Sequence, residues 1–314
     1  MLNQNQNECK PILFQKDKNS DIILLLTNAI KRHKMKIGII GCGMMGGALI
    51  KSISRQVGGE SIYLSDFDKT KTEALAKELR ANCSDNKTIA EKCDYVIFAV
   101  KPAFLKAMVQ EIVPEILNKK PVIVTIAAGV KIATIRDYIG NGVIGNRGPY
   151  DGTIVRLMPN LPATIGEAMI GLCADKDDDS TKNAVAEVKK FLSQAGETEQ
   201  VSENLMDAVT AISGSGPAYV FMFIEALADA AVKLGIPRKQ AYVYAAQTVR
   251  GSAGMVLNGG ATGSSHPAAL KDAVCSPAGT TIDAVQVLEE SGFRAAVIDA
   301  CVAAYEKSVE LGKK

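Results

Sequence analysis

Two stretches of this 314-residue chain carry residue types that can do chemistry. The first is Ser276-Pro277-Ala278-Gly279-Thr280-Thr281, a turn of small residues that opens a helical pattern. Such a helix start offers unpaired backbone N–H groups and the positive end of the helix dipole, a seat for a small anion such as a carboxylate. The second is Gly41-Cys42-Gly43-Met44-Met45-Gly46, which follows the apolar run Lys36–Ile40 and precedes Ala48, Leu49, Ile50 and Ile53. This is GxGxxG between a strand and a helix, the context in which it binds a dinucleotide. Gly41 permits the tight turn, Gly43 lets the backbone approach a pyrophosphate, and Gly46 lets helix pack on strand. Asp66 lies twenty positions past Gly46, where a carboxylate holds the adenine-ribose hydroxyls and repels a 2′-phosphate. That favours NAD(H), but Lys69 and Lys71 just beyond offer cations for the phosphate, so the cofactor reads as NADPH or NADH.

These residues need a scaffold, and the apolar runs supply one. Lys36–Ile40, Ser61–Ser65, Tyr95–Val100, Pro121–Ile126 and Thr153–Met158 read as short strands, and Ala168–Leu172 as one more. Helical patterns cover Lys69–Arg80, Phe104–Leu117 and Thr181–Gln194. Alternation of this kind predicts a doubly wound, mostly parallel sheet, with ligands at the carboxyl ends of its strands. Ala99-Val100-Lys101-Pro102 and Ile126-Ala127-Ala128 fall at that edge. Small residues there let a flat ring lie against backbone.

Beyond Glu203 the pattern is all helix, with Gly-rich breaks at Ser213–Gly216 and at Asn258–Ser265. Ala218–Leu234 is apolar nearly all round, which predicts burial against a second subunit. The expected organisation is a 1–34 extension, poorly ordered, a 35–197 α/β nucleotide-binding domain and a 198–314 all-α domain for dimerisation and substrate. Residues 1–34 are Asn/Gln-rich, then apolar, then basic, in an order that suits neither a signal peptide nor a transmembrane span, and Met35 reads as the functional start.

Composition excludes several classes. A net charge of +2 argues against nucleic-acid and membrane partners. Two histidines, His33 and His266, without metal-ligand spacing give no metal site. Seven scattered cysteines without CxxC read as reduced thiols in a cytoplasmic protein.

SGSGPAY at 213–219, HPAALKDAV at 266–274, SPAGTT at 276–281 and VLEESGFRAAVIDA at 287–300 resemble the pyrroline-5-carboxylate reductase family. GCGMMG, AVKP, AAGV and RLMPNLP match its first domain, so the resemblance spans 35–314. It implies a Rossmann-like domain followed by a helical domain that interleaves with its twin in a homodimer, with dimers assembling into rings such as decamers. It implies NAD(P)H-dependent reduction of 1-pyrroline-5-carboxylate to L-proline, the last step of proline biosynthesis. By position, Gly41–Gly46 would hold the pyrophosphate and Asn86 would contact the cofactor. Ala99, Val100, Lys101, Pro102, Ile126, Ala127 and Ala128 would line the nicotinamide. Ser276, Pro277, Ala278, Gly279 and Thr280 would take the substrate carboxylate, and Thr281 would bond the ring nitrogen.

The chemistry suits this inventory. A protonated cyclic imine is already electrophilic, so a hydroxyl and good positioning suffice without a strong acid. The chain departs from the family pattern at Leu161, where Thr is usual, at Ala278, where SPGG has Gly, and at Cys275, where Ser or Thr is usual. Alanine at 278 carries a cost if that position needs a positive φ. The loops near 140–152 and 259–265 also look long. Alternatives are a reductase of another cyclic imine such as a piperideine carboxylate, and a non-enzymatic NAD(P)-binding regulatory paralogue. A β-hydroxyacid dehydrogenase is disfavoured, because Val220 stands where its lysine would be.

Overall fold

The sheet order is β3-β2-β1-β4-β5-β6-β7-β8. A computed structural model describes residues 35–140, 149–259 and 266–312. The expectations for residues 1–34, and most of those for the two long loops, lie outside the described residues. The strands are β1 (Ile37–Ile40), β2 (Ile62–Ser65), β3 (Asn82–Cys83), β4 (Tyr95–Phe98), β5 (Val122–Thr125), β6 (Ile154–Met158), β7 (Ala168–Ala174) and β8 (Gly196–Gln200). The first six pair in parallel, β7 runs antiparallel to β6, and β8 runs parallel to β7. β1 and β4 are buried along their whole length, as central parallel strands covered on both faces must be.

The helices of this part are α1 (Met44–Val57), α2 (Lys69–Leu79), α3 (Asn86–Lys92), α4 (Pro102–Glu111), α5 (Val113–Lys119), α6 (Ile132–Ile139) and α7 (Asp179–Leu192). Side-chain carboxylates of Asp68, Asp85 and Asp178 cap α2, α3 and α7 by accepting a backbone N–H three residues on. The helix expected over Phe104–Leu117 is two helices broken at Ile112. Pro114 in the first turn of α5 explains the break, because its ring excludes a continuous helix through that point.

From Glu203 onward the chain is helical: α8 (Met206–Val209), a π-turn (Thr210–Gly214), α9 (Gly216–Lys233), α10 (Arg238–Asn258), α11 (Pro267–Val274), α12 (Thr280–Glu290) and α13 (Phe293–Leu311). The Gly-rich segment at 213–216 does not break the helical path as expected. It carries the path through the π-turn into α9. α9 and α10 pack on each other through the small residues Ala228, Ala241 and Ala245. Little else in this part is covered. Phe221, Met222, Val243, Leu257 and Ile298 are all exposed, and α11 and α12 bury no residue at all. Apolar surface of that extent on helices marks an interaction face.

Candidate functional site

The crevice lies where the strand order reverses, between β1 and β4. Ala99 N–H donates to the Ile40 carbonyl at 2.8 Å, so the turns leaving these two strands lie side by side. The three glycines behave differently there. Gly41 has φ +108°, and a Cβ on it would stand 2.6 Å from the Ala99 carbonyl oxygen. A Cβ on Gly46 would stand 2.1 Å from the Gly41 carbonyl oxygen. A Cβ on Gly43 would meet nothing within 4 Å. Two glycines are therefore required by the protein's own packing, and the third faces open space that a ligand can use. α1 begins at Met44 with no side-chain cap, leaving its first N–H groups turned to the same space.

Asp66 stands beyond the end of β2, and its carboxylate faces the glycine loop. Oδ2 accepts the Cys42 N–H at 2.5 Å and Oδ1 accepts the Asp68 N–H at 2.8 Å. The carboxylate expected on a ribose thus has a prior task, bracing the loop. Cys42 is buried, its thiol donates to the Ser65 carbonyl, and burial, helped by the charge of Asp66, pushes its pKa up to about 12. It is a neutral packing group and not a nucleophile. A groove of about 530 Å³ opens beside Cys42 and Gly43, with Lys51, Arg55 and Lys71 on its walls.

Asn86 is the first residue of α3. Its Oδ1 accepts the Ser65 hydroxyl at 2.7 Å and its Nδ2 donates to Glu111 at 3.1 Å. It is half-buried beside the carboxyl end of β2. Ala99 and Val100 are half-buried, whereas Lys101 and Pro102 are exposed at the start of α4. Ile126 N–H donates to the Phe98 carbonyl at 3.1 Å, which sets the turn after β5 against the turn after β4. Ala127 is buried and Ala128 exposed, so of the two it is Ala128 that is open to solvent.

The Ser276–Thr281 turn is built separately. Gly279 N–H closes on the Ser276 carbonyl at 3.0 Å around Pro277 and Ala278. Ala278 has φ +54°, the left-handed region where a side chain is strained, which is the cost anticipated for the departure from SPGG. A Cβ on Gly279 would stand 2.3 Å from the Ser276 hydroxyl and 3.1 Å from its carbonyl oxygen, so a side chain there would force the hydroxyl to turn away. Gly279 precedes α12 without a side-chain cap, so the N–H groups at the start of α12 point outward. Ser276, Pro277, Ala278 and Thr280 are exposed, and Thr281 is half-buried. α12 packs chiefly on α13 and not on the sheet. Among the described residues, no strong packing joins α12 to α1, the helix that the glycine loop opens.

One group escaped the sequence reading. Asn160, just past β6, is buried and bonded to Ser213 in the π-turn. Its only local signal is a polar residue between prolines at a strand end. Among the described residues no group of three or more His, Cys, Asp or Glu is arranged to hold a metal ion.

A family model described as pyrroline-5-carboxylate reductase dimerisation matches residues 203–311, and one described as NADP oxidoreductase coenzyme F420-dependent matches residues 36–129. The chain is similar to a pyrroline-5-carboxylate reductase of Escherichia coli strain K12, 43% identical over 281 residues that cover 88% of this chain and 98% of the relative. It is similar to that of Methanosarcina acetivorans, 42% identical over 285 residues, covering 90% and 100%. Among solved structures, pyrroline carboxylate reductase of Plasmodium falciparum with NADP bound superposes with a TM-score of 0.73 at 32% identity, covering 88% of this chain and 98% of the other.

Proposed function

The chain belongs to the pyrroline-5-carboxylate reductase family, and from that premise we infer that it reduces 1-pyrroline-5-carboxylate to L-proline with NADPH or NADH. The observation that carries this reading is the open space at Gly43, which only the middle glycine of the three leaves. The residues fit a dinucleotide. Gly41–Gly46 hold the pyrophosphate on backbone N–H groups, with Asp66 keeping the loop in shape and Asn86 flanking the adenosine. Ala99, Val100, Lys101, Pro102, Ile126, Ala127 and Ala128 line the nicotinamide, which supplies the hydride when bound.

The substrate side falls to the SPAGTT turn. Ser276, Pro277, Ala278, Gly279 and Thr280 frame the carboxylate, which the unpaired N–H groups in the first turn of α12 take, aided by that helix's dipole. The Thr281 hydroxyl bonds the ring nitrogen and holds the protonated imine with its carbon toward the nicotinamide. The chain supplies orientation and exclusion of water, and the iminium supplies its own electrophilicity.

A second copy of the chain completes this arrangement. The helical face is apolar and exposed, and the 203–311 region matches a dimerisation family. Glu203–Lys233 is long and apolar enough to cross a membrane, and little of it is buried within one chain. We assign its cover to the interleaved helices of a twin chain, not to lipid, since Glu225, Asp229 and Lys233 fall along it. We place the domain boundary at 197/198, before the all-helical part, and the enzyme in the cytoplasm. The cysteines described are free thiols, which suits a reducing compartment. Rings of dimers such as decamers are the assembly this plan extends to.

Thr281→Ala tests the site. It lowers kcat by about a hundredfold while NADPH affinity stays within about threefold, because only the substrate's ring loses a partner. Unchanged turnover would remove Thr281 from the mechanism.

A further inference from the structure

Ser213 occupies the π-turn, and an α-helix would pair its carbonyl with the N–H of residue 217. Residue 217 is proline and has no N–H. The next donor, the Ala218 N–H, goes to the Ser215 carbonyl at 3.0 Å. The Ser215 N–H returns to the Thr210 carbonyl at 2.8 Å and closes the wide turn. The Ser213 carbonyl finds its donor 53 positions away, in the Asn160 amide, at 3.1 Å.

Asn160 is 7% exposed and fixed from both sides. Its Nδ2 also reaches the Ser213 hydroxyl at 3.3 Å, and its Oδ1 accepts the Met169 N–H at 3.1 Å. The Ser213 hydroxyl donates to the Met169 carbonyl at 2.9 Å, closing a ring of bonds among the end of β6, the start of β7 and the π-turn. A flipped amide would set oxygen against oxygen and N–H against N–H, so the network admits one orientation. β6 follows β5 in the sheet, and its carboxyl end shares an edge with the turns at Ala99–Pro102 and Ile126–Ala128. π-turns inside helices concentrate at functional sites because they re-aim one face.

We propose that Asn160 is a positioning residue for reduction of the imine: it replaces the donor missing at Pro217, holds the π-turn open over the carboxyl edge of the sheet, and so sets the start of α9 against the nicotinamide ring. The proposal rests on the reductase reading above. It goes beyond that reading by assigning the alignment to a residue that touches neither substrate nor cofactor.

The test is a cycle of Asn160→Ala and Pro217→Ala, read by kcat, by NADPH binding through fluorescence, by thermal midpoint and by amide exchange over 212–219. Asn160→Ala lowers kcat by about a hundredfold, leaves the NADPH Kd within about threefold and speeds exchange in the π-turn. Adding Pro217→Ala supplies a backbone donor and lets the segment relax to an α-helix. The double variant regains the midpoint and the slow exchange but not kcat. Asn160→Ala with wild-type kcat, or a double variant with restored kcat, would overturn the proposal, since satisfying one carbonyl would then be all that Asn160 does. If Asn160→Ala does not fold, Asn160→Asp decides, because it keeps the acceptor for the Met169 N–H and loses the donor to the Ser213 carbonyl. A kept midpoint with lowered kcat and faster exchange over 212–219 supports the proposal, and unchanged kcat overturns it. If the wild-type chain reduced no imine, the reductase reading would fall, while the exchange data would still report on the brace.

Discussion

The carboxylate of Asp66 accepts the backbone N–H of Cys42 at 2.5 Å, tying the end of β2 to the glycine loop. Both oxygens are engaged by main chain, the second by Asp68 N–H at 2.8 Å. We infer that Asp66 serves either dinucleotide through the loop's shape. Asp66→Ala weakens NADPH and NADH binding by a common factor of roughly ten, the scale of one charge-assisted hydrogen bond. Titration with both nucleotides measures this. A loss confined to NADH would return Asp66 to direct ribose recognition.

The glycines of the same loop separate packing from binding. Gly41→Ala and Gly46→Ala drive a methyl into backbone oxygen at 2.6 and 2.1 Å and cost about 1–3 kcal/mol or more of stability. Gly43→Ala has open space and an ordinary backbone at φ −67°, so stability stays within about 0.5 kcal/mol while nucleotide affinity falls. Denaturant unfolding and nucleotide titration on the three variants check this. Full affinity in Gly43→Ala would mean the pyrophosphate lies elsewhere.

Ala278 is the strained member of the SPAGTT turn, at φ +54°. An L-residue there costs about 1–2 kcal/mol, and glycine's extra freedom in the unfolded chain returns about 0.4–1 kcal/mol of that. Ala278→Gly therefore stabilises the protein by about 0.5–1 kcal/mol, read as a raised denaturation midpoint. A destabilised Ala278→Gly would show that partner contacts hold the turn instead.

Much of this was legible beforehand, and the exceptions share a cause. The apolar runs of β1, β4 and β5 announce buried parallel strands, and GxGxxG between strand and helix announces the loop. β8 was missed because Gly196–Gln200 is polar and mostly exposed, with β7 as its one partner, so no apolar pattern marks it. β3 has two residues, too few for any period. The π-turn was read as a break because its stabilising donor, Asn160, lies far off in sequence. Asp66 is legible as a carboxylate just past an apolar strand, but its bonds to Cys42 and Asp68 depend on how the loop folds back on β2. Local pattern reports periodicity and turn chemistry, and tertiary partners decide the rest.

The most direct measurement is oxidation of NADPH, and separately NADH, with 1-pyrroline-5-carboxylate, with L-proline quantified. The account predicts saturable oxidation with one proline formed per nucleotide oxidised. A folded, nucleotide-binding protein that gives no proline with either cofactor would contradict it.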